Sequence, residues 1–576
     1  MDKKGRKDAR TRADRQKKRQ FRGNQHTAEQ DSEFTSTSAK KLQTAKDINF
    51  PVSNEFGYCI LNFFAVFSTI ASLVIIKNCK RNMQFSQTPN RGLGFKIYVK
   101  CSCNEVYIDS SPFINNAYEI NRRIVFVLRI CGVGREGLNL FCSLMDICQG
   151  IAANTYYACL ENIYVAASAV YSCILKEAIE EEKEKNKEAG NIETHLTVSG
   201  DGTWKKRGFS SLFGVSTLVG KYSNKVVDAM IKSSFCQACN LWNNKKDDNI
   251  AEYNEWYETH EETCSRNHEG SAGKMEIDAI TEMFVRSKEK HGVLYVKYIG
   301  DGDSKTFRGI LNVDPYAEDE ITVIKKECVG HAEKRMGTRL RNAKKHNKGI
   351  VGKGAGKLTD KMIGELTTYY GLAIRRHPDS VEEMRKAIWA TYYHKSSSDN
   401  KPQHQNCPPG EESWCKWSKA EAEGTLASFH HANPPLTDQV LEIIKPIYED
   451  LSSDELLERC LGAETQNNNE SLNSLIWTFA PKHLHVGVKV VEIATFLAVI
   501  IFNKGFMPIL KVMNVMGVNI GQQAMMYANS RNEARITRSE RRSTNFSRDQ
   551  RMNRREERSA LQDFYEQEEG PLYGPG

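Results

Sequence analysis

Short apolar runs in the middle of the chain predict a sheet with helices beside it. The segments HLTVSGD (from residue 195), FSSLFGVSTLVG and KVVDAMIKSSF have the apolar pattern of three successive strands, with turn residues between them. Two later runs, VLYVKYIGD and ITVIKKEC, predict a fourth and a fifth strand. A helical period separates the third strand from the fourth and is carried by Met275, Ile277, Ile280, Met283 and Phe284. The pattern therefore predicts an α/β core.

Acids stand at the ends of two of these strands. The first strand stops at Asp201 and the fourth at Asp301, each with glycine on both sides. Three successive strands followed by helix, strand, helix and strand is the element order of a ribonuclease-H-like core, in which these two strands are neighbours. The alternative for either residue alone is an ordinary strand-to-turn aspartate. We interpret the flanking glycines as room for a phosphate backbone.

The rest of the chain reads as mostly helical. An apolar run at residues 57–76 is close to the length of a membrane span, but a buried helix leading into a strand fits it as well. The run at 486–502 contains Lys489 and Glu492 and predicts a core helix. The predicted domains are a disordered basic tail (1–48), a degenerate zinc-ribbon-like module (49–117), a helical region (118–190), the first part of the core (191–345, with a Cys/His insertion at 236–268), a helical insertion (346–465), the C-terminal core helices (466–528) and a disordered Arg-rich tail (529–576).

Charge is concentrated at the two ends. The formal net charge is +8, and the stretches 1–23 and 531–558 are rich in Lys and Arg. Neither stretch can bury enough apolar surface to offset its ordering entropy, so we expect disordered tails. They fit a nuclear address with non-specific phosphate contacts, and the alternative is a solvated charge run.

The 16 cysteines are spaced for metal rather than for disulfides. Cys236 and Cys239 form a CxxC pair, and Cys264 and His268 form a second pair, a spacing that suits tetrahedral zinc. His260 is a competing fourth ligand, and unpaired core cysteines are the alternative. His404, Cys407 and Cys415 form a looser group, and Cys79, Cys101 and Cys103 resemble a zinc ribbon that lacks a fourth ligand. The loop GKGAGK is not a phosphate loop, because Leu358 stands where Ser or Thr is required.

Longer motifs resemble the Mutator-like transposase domain of animal genomes. They are SGDGTWKKRGFSSLFGV, YIGDGDSKTF, CVGHAEKRMGTRLR, LTDKMIGELTTYYGLAIRR, SWCKW and TQNNNESLNSLIW, within residues 56–504. The resemblance implies a catalytic triad of Asp201, Asp301 and Glu470, with Asp303 as the rival second acid. Glu470 is preferred to Glu464 because Glu-Ser-x-Asn is the helix signature of the family.

The resemblance also implies a Cys-x-x-His pair, here Cys328 and His331, which would either bind zinc or pack the insertion against the core. In the N-terminal ribbon the family has CxxC at both knuckles, whereas this chain has Ile76 at the first position and only one residue between Cys101 and Cys103.

The implied activity is cleavage and transfer of DNA strands at transposon ends. Mg²⁺ or Mn²⁺ would be held by the three acids, and structural Zn²⁺ by the Cys/His set. Water attacks first, and a freed hydroxyl then attacks target DNA. The expected partners are double-stranded DNA, both terminal repeats and target, and further copies of the chain on that DNA. We expect a nuclear protein with no membrane partner. The alternative is a retained copy that binds DNA without cutting it.

Overall fold

The fold is that of a computed structural model which describes residues 35–43, 49–77, 79–206, 211–246, 249–301, 305–350 and 355–543. Two compact units are present: residues 48–525 form one, and residues 1–47 with 526–576 form the other. Most of both basic tails, Asp303 and the first half of the GKGAGK loop lie outside the described residues.

A small β module and a group of helices precede the central sheet. Their elements, in chain order, are α1 (Thr37–Gln43), α2 (Phe63–Leu73), β1 (Gln84–Gln87), β2 (Lys96–Lys100), β3 (Glu105–Asp109), β4 (Phe113–Ile114), β5 (Ala117–Tyr118), α3 (Glu119–Ile130), α4 (Arg135–Leu144) and α5 (Ala153–Glu188). Strands β1, β2 and β3 form an antiparallel sheet in that order, and β4 pairs with β5.

The central sheet and its flanking helices follow. They are β6 (His195–Trp204), β7 (Phe213–Gly220), β8 (Val226–Ser233), α6 (Gln237–Lys246), α7 (Ile250–His260), α8 (Ala272–Val285), α9 (Ser287–His291), β9 (Leu294–Gly300), α10 (Lys305–Val313) and β10 (Ile324–Glu327). The sheet order is β10-β9-β6-β7-β8. Strands β6 and β7 pair antiparallel, as do β7 and β8, whereas β9 runs parallel to β6 and β10 parallel to β9. The predicted mixed α/β core with five strands is confirmed.

One detail of the first strand differs from the prediction. Strand β6 does not stop at Asp201 but continues to Trp204, because β7 pairs with it along this stretch, from Asp201 opposite Thr217 to Trp204 opposite Gly214. Asp201 therefore lies within a paired strand. Asp301 directly follows β9, as predicted.

Helices make up the remainder. They are α11 (Val329–His346), α12 (Asp360–Arg376), α13 (Val381–Ser396), α14 (Lys416–Ala422), α15 (Asp438–Leu451), α16 (Asp454–Cys460), α17 (Asn467–Phe479), α18 (Val488–Lys504), α19 (Met507–Val515) and α20 (Gln522–Ser543). Buried side chains of α11, α12, α13, α15 and α16 share one core, which includes Met336, Leu366, Ile388, Tyr448 and Leu457. Helix α11 thus packs with the helices of the insertion, although the sequence pattern assigned it to the first part of the core.

Two apolar runs take different positions. Helix α18 is buried along most of its length and is the core helix predicted at residues 486–502. The run at 57–76 forms α2, a helix of 11 residues without a buried residue, so the expectation of a buried helix is wrong there. Phe63 and Phe67 of α2 pack on Phe95 and Phe85 of the small β module. Among the described helices, α5 is long and apolar enough to cross a membrane, and half of its apolar stretch is buried, as in the core helix of a globular fold.

The prediction of wholly disordered tails also needs correction. Residues 37–43 form α1, and the Arg-rich residues 531–543 belong to α20. The Arg-rich stretch has few helix-breaking residues before Ser543, so a helix can continue through it.

Candidate active site and metal-binding clusters

One face of α17 is attached to β6 by polar side chains. Gln466, just before the helix, donates from Nε2 to the Gly200 carbonyl at 2.6 Å. Asn469 donates from Nδ2 to the Ser199 carbonyl at 3.1 Å, and its Oδ1 accepts from Ser199 Oγ at 2.9 Å. The sequence signature NNNESLNSLIW thus contains the residues that fix this helix across the first strand.

The same face reaches the first predicted acid. Asn473 lies one turn after Asn469 and donates from Nδ2 to Oδ2 of Asp201 at 2.7 Å. Trp477, a further turn along, donates from Nε1 to Thr203 Oγ1 at 2.8 Å. The signature helix therefore positions the Asp201 carboxylate directly.

Asp201 and Asp301 lie at the same edge of the sheet. Strands β6 and β9 are parallel neighbours with Ser199 opposite Ile299, and each aspartate stands two residues beyond that pair. Adjacent strands are about 4.8 Å apart. Burial raises the pKa of Asp201 to about 6, although the His331 ring and the Asn473 amide favour its charged form.

Glu470 lies close to this pair but is more open to solvent. It occupies the first turn of α17, its side chain is 57% exposed, and its Oε1 is 3.5 Å from Lys334 Nζ. Its charge is among the influences that raise the pKa of Asp201. The structure thus brings the first two predicted acids side by side at this edge and puts Glu470 on the rim.

A fourth acid, which sequence reasoning missed, lies beneath them. Glu276 of α8 is held by Thr306 Oγ1, which donates to its Oε1 at 3.3 Å. Burial, followed by the charges of Asp201 and Asp301, raises the pKa of Glu276 to about 7. The available signal was an acid on the apolar stripe of α8, four residues before the buried Ile280.

The glycines beside Asp201 serve the packing of this site. A Cβ on Gly202 would lie 2.7 Å from the Glu276 carboxylate, and one on Gly200 would lie 2.5 Å from the Tyr298 ring. Both glycines therefore admit neighbouring side chains, whereas the sequence pattern had suggested room for a phosphate backbone.

The predicted Cys-x-x-His pair divides between two environments. Cys328 is buried at the N-terminal end of α11. His331 faces the acids, with Nδ1 2.6 Å from Asp301 Oδ1. Neither residue joins a group of Cys and His ligands among the described residues. His331 thus takes part in the acidic site as a partner of Asp301.

The Cys/His insertion gathers four ligands, but with a different histidine. Ligand atoms of Cys236, Cys239, His260 and Cys264 all lie within 4.8 Å of one another, including Cys236 Sγ to His260 Nε2 at 3.3 Å and Cys239 Sγ to Cys264 Sγ at 3.4 Å. His268 was the predicted fourth ligand, and this is wrong.

The ring of His268 is engaged elsewhere. Its Nδ1 lies 3.2 Å from the Asp278 carboxylate and its Nε2 lies 3.2 Å from the Ser271 carbonyl. His260, at the end of α7, occupies the fourth ligand position instead. The His260 ring stacks on the Trp256 ring, with the ring centroids 4.5 Å apart.

Two further groups converge within the described residues. Cys79, Cys101 and Cys103 lie together at one end of the small β module, which confirms the convergence of these three ribbon cysteines. His404, Cys407 and Cys415 are joined by His394, which the sequence pattern had not included. Among the described residues, the acids around Asp201 do not form a set whose ligand atoms all lie within 4.8 Å of one another.

Helix α11 presents positive charge beside the acids. Lys334, Arg341 and Lys345 follow one another at intervals of seven and four residues, so they share a face of the helix, and all three are exposed. Lys334 is the residue that approaches Glu470. Three exposed cations on one face of a helix are suited to contact a polyanion.

Comparison with known proteins agrees with this arrangement. Residues 57–415 match the family model of the Mutator-like transposases. No curated protein and no solved structure matches the chain. The matched region contains the central sheet, Asp201, Asp301 and the three Cys/His groups. The chain belongs to the Mutator-like transposase family.

Proposed function

We propose that this chain is an active DNA transposase that cleaves and transfers DNA strands at transposon ends. Asp201, Asp301 and Glu470 are its catalytic acids, and Mg²⁺ or Mn²⁺ is its catalytic metal. The observation that carries the proposal is the acidic cluster at one edge of the sheet, contributed by segments far apart in the chain.

The proposed fold of the core is ribonuclease-H-like. Its support is the sheet order β10-β9-β6-β7-β8, in which three antiparallel strands are followed by two parallel ones. In this arrangement the fourth strand lies beside the first, so Asp201 within β6 and Asp301 directly after β9 are neighbours. The signature helix α17 crosses the same edge.

The residues of the cluster fit a hard divalent cation. Its donors are carboxylate oxygens, which Mg²⁺ and Mn²⁺ prefer. Asp201 and Glu276 are acids whose burial disfavours their charge, and a cation would offset that cost. When bound, the metal activates the attacking oxygen and stabilises the leaving oxygen of a phosphodiester.

The protein residues around the acids have positioning roles. Asn473 donates to one oxygen of Asp201, and His331 lies against one oxygen of Asp301, so these two side chains orient the carboxylates. Glu276 supplies further negative charge from beneath. Exposed Lys and Arg on α11 bind the DNA backbone.

Structural zinc completes the proposal. Cys236, Cys239, His260 and Cys264 form a closed set of four ligands, as structural zinc requires. The ion would hold α6 and α7 on the core, because this insertion contains few buried residues of its own. Nuclear location and assembly of several copies on DNA remain part of the same proposal.

The test is cleavage of a defined duplex. Genomic DNA that flanks the gene, including any terminal inverted repeats, is supplied as a labelled linear fragment with Mg²⁺ or Mn²⁺. We expect nicks at the repeat ends that disappear with EDTA. Binding of the repeats without cleavage, with either metal, would support the alternative of a retained DNA-binding protein.

A further inference from the structure

The second complete Cys/His group lies at the end of the helical insertion. His394 is in the last turn of α13, His404 and Cys407 are in the loop that follows, and Cys415 is the N-cap residue of α14. All four ligand atoms lie within 4.8 Å of one another, and three of the four residues are buried. These residues come from one short stretch of chain, and they face a common point.

The distances are those of a tetrahedral site. Zinc bonds to nitrogen and sulfur of the usual lengths place two nitrogens about 3.3 Å apart and a nitrogen and a sulfur about 3.5 Å apart. The Nδ1 atoms of His394 and His404 are 3.3 Å apart. The Cys415 sulfur lies 3.6 Å and 3.4 Å from these two nitrogens, and the Cys407 sulfur lies 3.8 Å from each.

A hydrogen-bonded chain behind His404 fixes the same ligand atom. Asp399 Oδ1 lies 2.6 Å from His431 Nδ1, so the carboxylate accepts a hydrogen bond from the N–H of that nitrogen. His431 Nε2 then carries a lone pair and accepts from His404 Nε2 at 3.0 Å. His404 Nδ1 is left without a proton, and this is the nitrogen that faces the two sulfurs. A hydrogen-bond partner at the far ring nitrogen is usual for a histidine that binds metal.

The chain around this Cys/His group forms little regular secondary structure. Between the end of α13 and the start of α15, the only α-helix in the described residues is α14, which has seven residues. Loops of this length without regular structure are uncommon unless further interactions stabilise them.

Two tryptophans cover the group. Trp417 stacks on His404 with ring centroids 5.0 Å apart, and the ring centroids of Trp414 and His394 are also 5.0 Å apart. The rings thus shield the group from solvent.

We propose that His394, His404, Cys407 and Cys415 bind a structural zinc ion. The site is closed, because four protein side chains occupy the four tetrahedral positions and leave none for substrate. The ion fastens the loop after α13 to the first turn of α14. This structural role does not depend on whether the chain cuts DNA.

Zinc content of the purified full-length chain tests the proposal. Cys407→Ser should lower the content by one equivalent per chain relative to the wild type. Cys460→Ser is the matched control: this cysteine is buried in the same helical region but belongs to none of the Cys/His groups found among the described residues. The zinc content of this variant should equal that of the wild type. A Cys407→Ser protein with wild-type zinc content overturns the proposal.

A conservative variant covers the case in which Cys407→Ser fails to fold. Cys407→His keeps four ligands, and after exchange into Co²⁺ it should retain the wild-type metal content. Its sulfur-to-cobalt charge-transfer band should be weaker than that of the wild type, because one thiolate is lost. An unchanged band would show that Cys407 is not a ligand and overturns the proposal equally.

Discussion

At the scale of single residues, burial disfavours the charged form of two acids in the acidic site, Asp201 and Glu276. Asp201 is held by Asn473 and Asp301 by His331, yet burial still raises the pKa of Asp201 to about 6. Glu276 lies deeper, and its pKa is about 7. A metal ion at this edge would offset the repulsion, so the arrangement costs stability in the metal-free protein and favours binding of cations.

Glu276→Gln tests this cost. The pKa of Glu276 is about 7 in the folded protein and about 4.3 in the unfolded chain. Its contribution to the free energy of unfolding is therefore fully present below about pH 4.3 and is lost as the pH rises through about 7. In metal-free buffer at pH 8 we expect the variant to be more stable than the wild type by about 1–3 kcal/mol. At pH 4 the difference should vanish.

The measurement is urea unfolding of both proteins in EDTA at the two pH values. Glu289→Gln changes an exposed acid and serves as the control, with no expected effect. A Glu276→Gln protein that is less stable than the wild type at pH 8 would mean that the charged form is favoured by its surroundings.

Site residues could be predicted from the sequence only where the neighbouring residues form a recognisable pattern. The neighbouring positions of Asp201 and Asp301 were predictable because each stands at or near the end of an apolar strand between glycines. Glu276 gave little signal, since a single acid within a helical period is common. His260 and His394 each lie at the end of a helix, so their approach to cysteines more distant in sequence depends on how that helix is oriented. Spacing along the chain favoured His268, whose ring is held by Asp278 instead.

At the scale of elements, α17 connects the family signature to the sheet. Asn469 is buried and forms hydrogen bonds with Ser199 through both ends of its amide, and it also donates to the Thr217 carbonyl at 3.3 Å.

Strands and helices could be predicted from apolar periodicity. The continuation of β6 past Asp201 could not, because it depends on pairing with β7. The extent of α20 was also missed, since its Arg-rich composition resembles that of a disordered tail.

Asn469→Ala tests the attachment of α17. Loss of the amide leaves buried backbone carbonyls of Ser199 and Thr217 without this donor, at a cost of about 2–4 kcal/mol in the free energy of unfolding. Asn467→Ala, at an exposed position in the first turn of the same helix, should change stability by less than about 0.5 kcal/mol. Denaturant unfolding measures both, and equal effects of the two changes would contradict the attachment.

Helix α11 should carry part of the affinity for DNA. Arg341→Ala combined with Lys345→Ala removes two exposed charges from the face that Lys334 shares. The slope of log affinity against log salt concentration should fall by about 2, with no change in sequence preference.

The control for α11 replaces two exposed lysines of other helices in the insertion, Lys361→Ala with Lys386→Ala. Fluorescence anisotropy on a duplex over a salt series gives the slope for each protein. A control pair that lowers the slope as much as the α11 pair would show that no particular face is used.

At the scale of the whole molecule, the four acids come from segments that are remote in sequence. Positions 201, 276, 301 and 470 meet only when the sheet has formed and α17 has crossed its edge. The helices of the insertion lie between the third and fourth of these segments, and α11 brings its basic face to the site. Metal binding, DNA binding and folding should therefore be separable by substitution.

The most direct measurement is the cleavage rate of Asp201→Asn at equal occupancy of DNA. Asn keeps the size of the side chain but removes the charge that, in the proposed mechanism, would hold a metal ion against the phosphate. We predict a fall of at least about 10³-fold in the rate with either Mg²⁺ or Mn²⁺. Affinity for the same duplex should stay within about threefold, since binding depends on Lys and Arg. Cleavage within about tenfold of the wild-type rate, or loss of binding together with cleavage, would contradict the account.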